Sequence, residues 1–184
     1  MEETNPWTVV ESRNIYQNSW IGLTEHQVIN PTGGKGIYGE VHFKNYAIGI
    51  LPLDEEMNTW LIGQYRFPIK AYSWEIPEGG GLPDVPKLES AQRELLEETG
   101  IAATEWTELL TMHLSNSVSD ELATIYIARN LTMGAAAPEE TEELVLRKLP
   151  FEQAYQMAMN GEITDSMSVA ALLKTKLLLL EGKL

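Results

Sequence analysis

Hydrophobic positions follow two different spacings along the chain. From Trp7 to Phe67 they form β-branched and aromatic runs broken by turn residues, as in residues 20–29 followed by Asn30-Pro31-Thr32-Gly33-Gly34, and such runs predict strands and hairpins. Residues 46–53 and 59–67 predict a hairpin around residues 54–58. Residues 73–76 predict one more short strand before a Gly- and Pro-rich loop at 77–86. Over residues 86–99 the spacing turns helical, with Pro86 suited to a first turn and Gly100 to a left-handed stop just past the end. Strands resume at 108–114 and 122–128, residues 133–138 read as a small-residue linker, and 144–149 alternates like a strand. Residues 151–159 and 166–180 close the chain as two helices, with no internal repeat anywhere. Strands first and helices inserted late point to an α+β or α/β/α layering, not to a doubly wound sheet.

Composition narrows the class. At about 150 residues per domain, 184 residues predict one domain or one domain with a small appendage. With 43% hydrophobic and 22% charged residues the chain can bury a core and is not of disordered composition. Subtracting 27 acidic from 13 basic residues leaves a net charge of −14, which repels phosphate backbones and anionic lipid, so neither nucleic acid nor membrane is an expected partner. The absence of cysteine excludes disulfides, thiolate metal sites and a cysteine nucleophile. The opening Met-Glu-Glu-Thr-Asn-Pro lacks the basic and apolar regions of a signal peptide. The longest apolar stretch, 169–180, is interrupted by Lys174 and Lys176 and falls short of the roughly 20 residues a bilayer needs. A cytoplasmic protein is the expectation.

The chemistry concentrates in residues 79–101. At about 100° per residue, Glu94, Glu97 and Glu98 share one side of the predicted helix, while Leu88, Ala91 and Leu95 form a neighbouring face that can seat it on a sheet. Three clustered carboxylates repel one another, and oxygen-only donors of this kind suit Mg²⁺, or alternatively Mn²⁺, bridging to substrate phosphates. The glycine loop around Gly80 lets the backbone approach the same ions and the substrate. Arg93, one turn before Glu97, can hold that carboxylate by an i,i+4 ion pair. The bland alternative for a lone Glu-x-x-Glu-Glu run is an exposed, charge-laced helix.

This segment resembles the Nudix box, in which a Gly is followed at fixed spacing by Arg-Glu, an aliphatic, Glu-Glu, Gly and an aliphatic. Gly79, Arg93, Glu94, Leu95, Glu97, Glu98, Gly100 and Ile101 match in register. At roughly 7% usage per residue type, six fixed positions agree by chance about once in 10⁷ starting points. One position departs: Val85 stands where the pattern has its first Glu, with Asp84 beside it either as a substitute or as a helix cap, the cap being the favoured reading. The resemblance implies an α+β Nudix fold, an α/β/α sandwich with a mixed sheet spanning residues 44–184, preceded by an amino-terminal antiparallel β extension over 1–43 that serves dimerisation.

Gln64-Tyr65-Arg66-Phe67-Pro68 and Trp74-Glu75-Ile76-Pro77-Glu78-Gly79 resemble the corresponding stretches of ADP-ribose and nucleoside-diphosphate-sugar pyrophosphatases. In that branch the resemblance implies that Arg66 and Glu75 help to hold substrate or the dimer contact, and that Glu78 offers a backbone carbonyl to a metal. An ordinary Arg66–Glu75 ion pair is the alternative. The acidic segment 138–144 is similar to a loop that supplies a catalytic base and a further metal ligand, which implies Glu140 as base and Glu142 as ligand, against the alternative of a solvated acidic loop. Trp20 resembles in position an aromatic that stacks on the base, although a large aromatic is more simply core bulk. Glu121 either orients waters or metals from outside the ligand set or starts the next strand, and His113 reads as a structural histidine within a strand. The implied activity is metal-dependent hydrolysis of the diphosphate of ADP-ribose or a related nucleotide sugar, with Arg93 and Glu98 in the catalytic set, by a homodimer. A ligand-sensing module on the same fold, invited by Val85, and a nucleoside-triphosphate sanitising enzyme are the alternatives.

Overall fold

The computed structural model describes residues 4–134 and 144–184. They divide into two compact units, the first running to Asn45 and taking in His113–Glu121, the second made of Tyr46–Met112 and Leu122–Leu184.

The first unit is a three-stranded antiparallel sheet of β1 (Thr8–Gln17), β2 (Ile21–Ile29) and β3 (Lys35–Phe43), in that order. The Asn30 side chain builds the turn between β2 and β3 by accepting from the Thr32 and Gly34 N–H groups, and Gly33 takes the positive φ that the turn requires. The segment 113–121 is stitched to β3. Val41 N–H donates to the Val118 carbonyl at 2.8 Å, Phe43 N–H to Asp120 Oδ1 at 2.8 Å, and the His42 ring contacts the other oxygen of Asp120.

In the second unit, β4 (Tyr46–Pro52) pairs antiparallel with β7 (Glu78–Gly81) and parallel with β9 (Leu122–Met133), and β8 (Ile101–His113) completes a mixed sheet of order β7-β4-β9-β8. β5 (Asn58–Arg66) lies between β6 (Ala71–Glu75) and β10 (Val145–Pro150) in a separate antiparallel sheet. The helices are α1 (Lys87–Thr99), α2 (Phe151–Met159) and α3 (Ser166–Leu180). Side chains alternate across a strand, so β4 shows which helix covers which face. Ile48 and Ile50 bury against Ala91 and Leu95 of α1, whereas a Cβ added to Gly49 would meet Met167 of α3 at 2.9 Å. Helix, sheet and helix are therefore stacked as expected for the α/β/α arrangement.

Several expectations are corrected. The turn at 54–58 forms, but β4 and β5 do not pair as a hairpin: both are largely buried, so each is central in a sheet of its own with its edges taken by other strands. The glycine loop contains a strand, β7, which glycine composition had disguised. β8 starts at Ile101, immediately after Gly100, and not at 108. On α1 the seat is Ala91 and Leu95, both fully buried, while Leu88 stays 37% exposed. Asp84 does not cap the helix: the N-cap is Pro86 and no side chain caps it. At its other end Gly100 adopts φ 70° and donates to the Leu96 carbonyl, the predicted left-handed stop.

Candidate active site

α1 packs alongside β7, and this contact assembles the site. Glu94 projects onto the glycine strand so closely that a Cβ on Gly79 would lie 2.2 Å from its carboxyl carbon. Gly79 is thus required by close approach, not by an unusual backbone angle. One turn further on, Glu98 is buried and its Oε2 accepts the Glu78 N–H at 3.0 Å. Glu97, at the same helix edge, is half-buried. Arg93 straps these parts together: Nη1 donates to Glu97 Oε2 at 2.7 Å, and Nη2 to Glu94 Oε1 at 2.6 Å and to the Gly80 carbonyl at 2.8 Å. The expected i,i+4 pair is present, and the same guanidinium also reaches the loop.

Glu78 also belongs to a second charge network, largely buried at its carboxylates. Arg66, on β5, donates from Nε to both oxygens of Glu75 at 3.0 Å and from Nη2 to Glu75 Oε2 at 2.5 Å and Glu78 Oε1 at 2.7 Å. The Arg66–Glu75 ion pair weighed as an alternative is therefore present, and it extends to Glu78. Burial, followed by the nearby carboxylates of Asp165 and Glu75, pushes the Glu78 carboxyl well above its ordinary range, with Arg66 pulling the other way. Asp165 caps α3 by accepting the Ser168 N–H at 2.7 Å, and its proximity to this network was invisible in sequence, where only an N-cap pattern marks it.

The remaining candidates scatter. Trp20 is 67% exposed in the first unit, which overturns the expectation of core bulk. Glu121 directly precedes β9, and burial together with the Asp120 charge raises its carboxyl. His113 ends β8 exposed. Glu140 and Glu142 lie outside the described residues.

Among the described residues no group of three or more His, Asp or Glu side chains is already arranged to hold a metal ion. The donor chemistry nonetheless fits a hard divalent cation. The acids of α1 offer oxygen only, they meet backbone at β7, and the buried Oε2 of Glu78 has no hydrogen-bond partner among the described residues.

Residues 44–169 match the NUDIX domain model, and residues 7–41 match the model of the nucleoside diphosphate sugar hydrolase N-terminal domain. An ADP-ribose pyrophosphatase of Mycobacterium tuberculosis is 30% identical over 170 residues, covering 89% of this chain and 80% of that protein. A methanol dehydrogenase activator of Bacillus methanolicus is 30% identical over 127 residues, 68% of this chain and 69% of that one. A crystal structure of an ADP compounds hydrolase superposes with a TM-score of 0.86 over the whole of both chains at 19% identity, a likeness of fold.

Proposed function

Since this chain belongs to the NUDIX family and is a Nudix hydrolase, we propose that it cleaves the diphosphate linkage of ADP-ribose or a related nucleoside-diphosphate sugar. Water adds to one phosphorus as the bridging P–O bond breaks, giving a nucleoside monophosphate and a sugar phosphate. ADP-ribose would yield AMP and ribose 5-phosphate.

The observation that carries this reading is the approach of the Glu94 carboxylate to the Gly79 backbone, with Glu98 hydrogen-bonded to the residue just before it. Glu94, Glu97 and Glu98, the Glu78 carbonyl and Glu142 are the groups that would hold Mg²⁺. Such a cation would offset the diphosphate charge and acidify the attacking water. Arg93 keeps Glu94 and Glu97 in place, and Glu140 would accept the proton of the attacking water. Trp20, exposed on the first unit, would stack on the base. Assembly as a homodimer through the amino-terminal strands belongs to the same proposal, and light scattering reads it.

The match of residues 7–41 favours a nucleotide sugar over a nucleoside triphosphate. A panel of ADP-ribose, other nucleoside-diphosphate sugars and a nucleoside triphosphate, incubated with and without Mg²⁺ and read by mass spectrometry, tests it. Nucleoside monophosphate and sugar phosphate formed only with the ion are expected. Binding without turnover would favour the ligand-sensing module instead.

A further inference from the structure

The buried oxygen that the network leaves without a partner singles out Glu78. Its backbone N–H is committed to Glu98, and its Oε1 to Arg66. Its Oε2 is buried and has no hydrogen-bond partner among the described residues. A buried carboxylate oxygen deprived of both water and a donor is costly, so a fold retains it only where something else satisfies it. The surroundings say what sort of group that is. Glu75, Glu98 and Asp165 all bear electrostatically on Glu78, and among the described residues Arg66 is the cation that chiefly opposes them. One guanidinium against four carboxylates leaves a shortage of positive charge at this point.

We propose that the Glu78 side chain, and not its carbonyl alone, is a ligand of the divalent cation, presented by an Arg66–Glu75 pair that fixes its orientation. This deepens the functional reading given above and rests on it. Arg66 grips Oε1 from a position itself fixed by three hydrogen bonds to the nearly inaccessible Glu75, so the carboxylate plane is set and Oε2 is the oxygen left to donate. Support of a ligand by a second residue, itself hydrogen-bonded to a third, is the usual way a protein orients a carboxylate toward a metal.

The test uses Mn²⁺ alone as probe, titrated into the metal-free full chain, with free ion counted by electron paramagnetic resonance. Glu78→Ala is expected to lose one bound ion or to bind at least about tenfold more weakly. Glu78→Gln, which keeps an oxygen at the position but not its charge, is expected to fall between Ala and the parent. Thermal melting without metal confirms folding, and the metal-induced rise in melting temperature should shrink in the same order. Arg66→Lys, which cannot grip Glu78 and Glu75 with one planar fork, should weaken Mn²⁺ binding while Glu78 remains. Binding curves of both Glu78 variants that overlay the parent would overturn the proposal. If nucleotide sugars are hydrolysed yet the curves overlay, this inference fails and the functional reading survives. If Mn²⁺ binding depends on Glu78 but no diphosphate is cut, the reverse holds.

Discussion

At the scale of single residues, the site turns on how near a helix side chain comes to backbone. A methyl group at position 79 would collide with the end of the Glu94 side chain, a flexible group able to swing aside. Gly79→Ala is therefore expected to leave the fold standing, with melting changed by only a few degrees, while turnover drops about tenfold or more because Glu94 is displaced. Equal losses of stability and activity would contradict this. Glu98→Gln keeps an oxygen to accept the Glu78 N–H but removes the charge, so hydrolysis should fall at least about a hundredfold with circular dichroism unaltered. The helical spacing of the three acids and the Arg93–Glu97 pair were legible in sequence because they are local. The Arg66–Glu78 contact was not, because it joins strands β5 and β7 across a sheet boundary that no spacing announces. The exposure of Trp20 has a related reason: aromatic bulk by itself does not decide burial, so the core alternative fails for this residue.

At the scale of elements, the turn between β4 and β5 shows what local signals do and do not decide. Asp54 organises it, Oδ1 accepting the Asn58 N–H at 2.7 Å and Oδ2 pairing with Lys148 at 2.8 Å. Those turn residues were readable, but the partners of the strands they join were not, since pairing depends on β7 and β9 arriving from elsewhere in the chain. Burial alone would raise the Asp54 carboxyl, but the bonds from Lys148 and Asn58 outweigh it and hold the group below its ordinary value of 3.8. A depressed folded value means that the ionised form stabilises the fold above about pH 4, and that this contribution is lost as pH falls through the folded value. Asp54→Asn should cost about 1 kcal/mol in urea unfolding at pH 7 and progressively less below pH 4. An undiminished deficit at pH 3 would show that charge is not what Asp54 contributes.

For the molecule as a whole, the net charge of −14 sets a long-range field that opposes an anionic substrate. Raising ionic strength from about 0.01 to 0.15 M shortens the screening length from about 30 to 8 Å, so at saturating Mg²⁺ the value of kcat/KM for ADP-ribose should rise with added salt. A fall would mean that the local cationic field at the site governs encounter. The α/β/α layering was legible because helices and strands separate cleanly by period, whereas the make-up of the first unit was not, since residues 113–121 carry no mark of belonging with β3. That membership bears on synthesis. Residues 46–112 leave the ribosome before the piece that fastens to Val41 and Phe43 exists, so the strands made first must wait for most of a second unit to be synthesised before their own unit is whole.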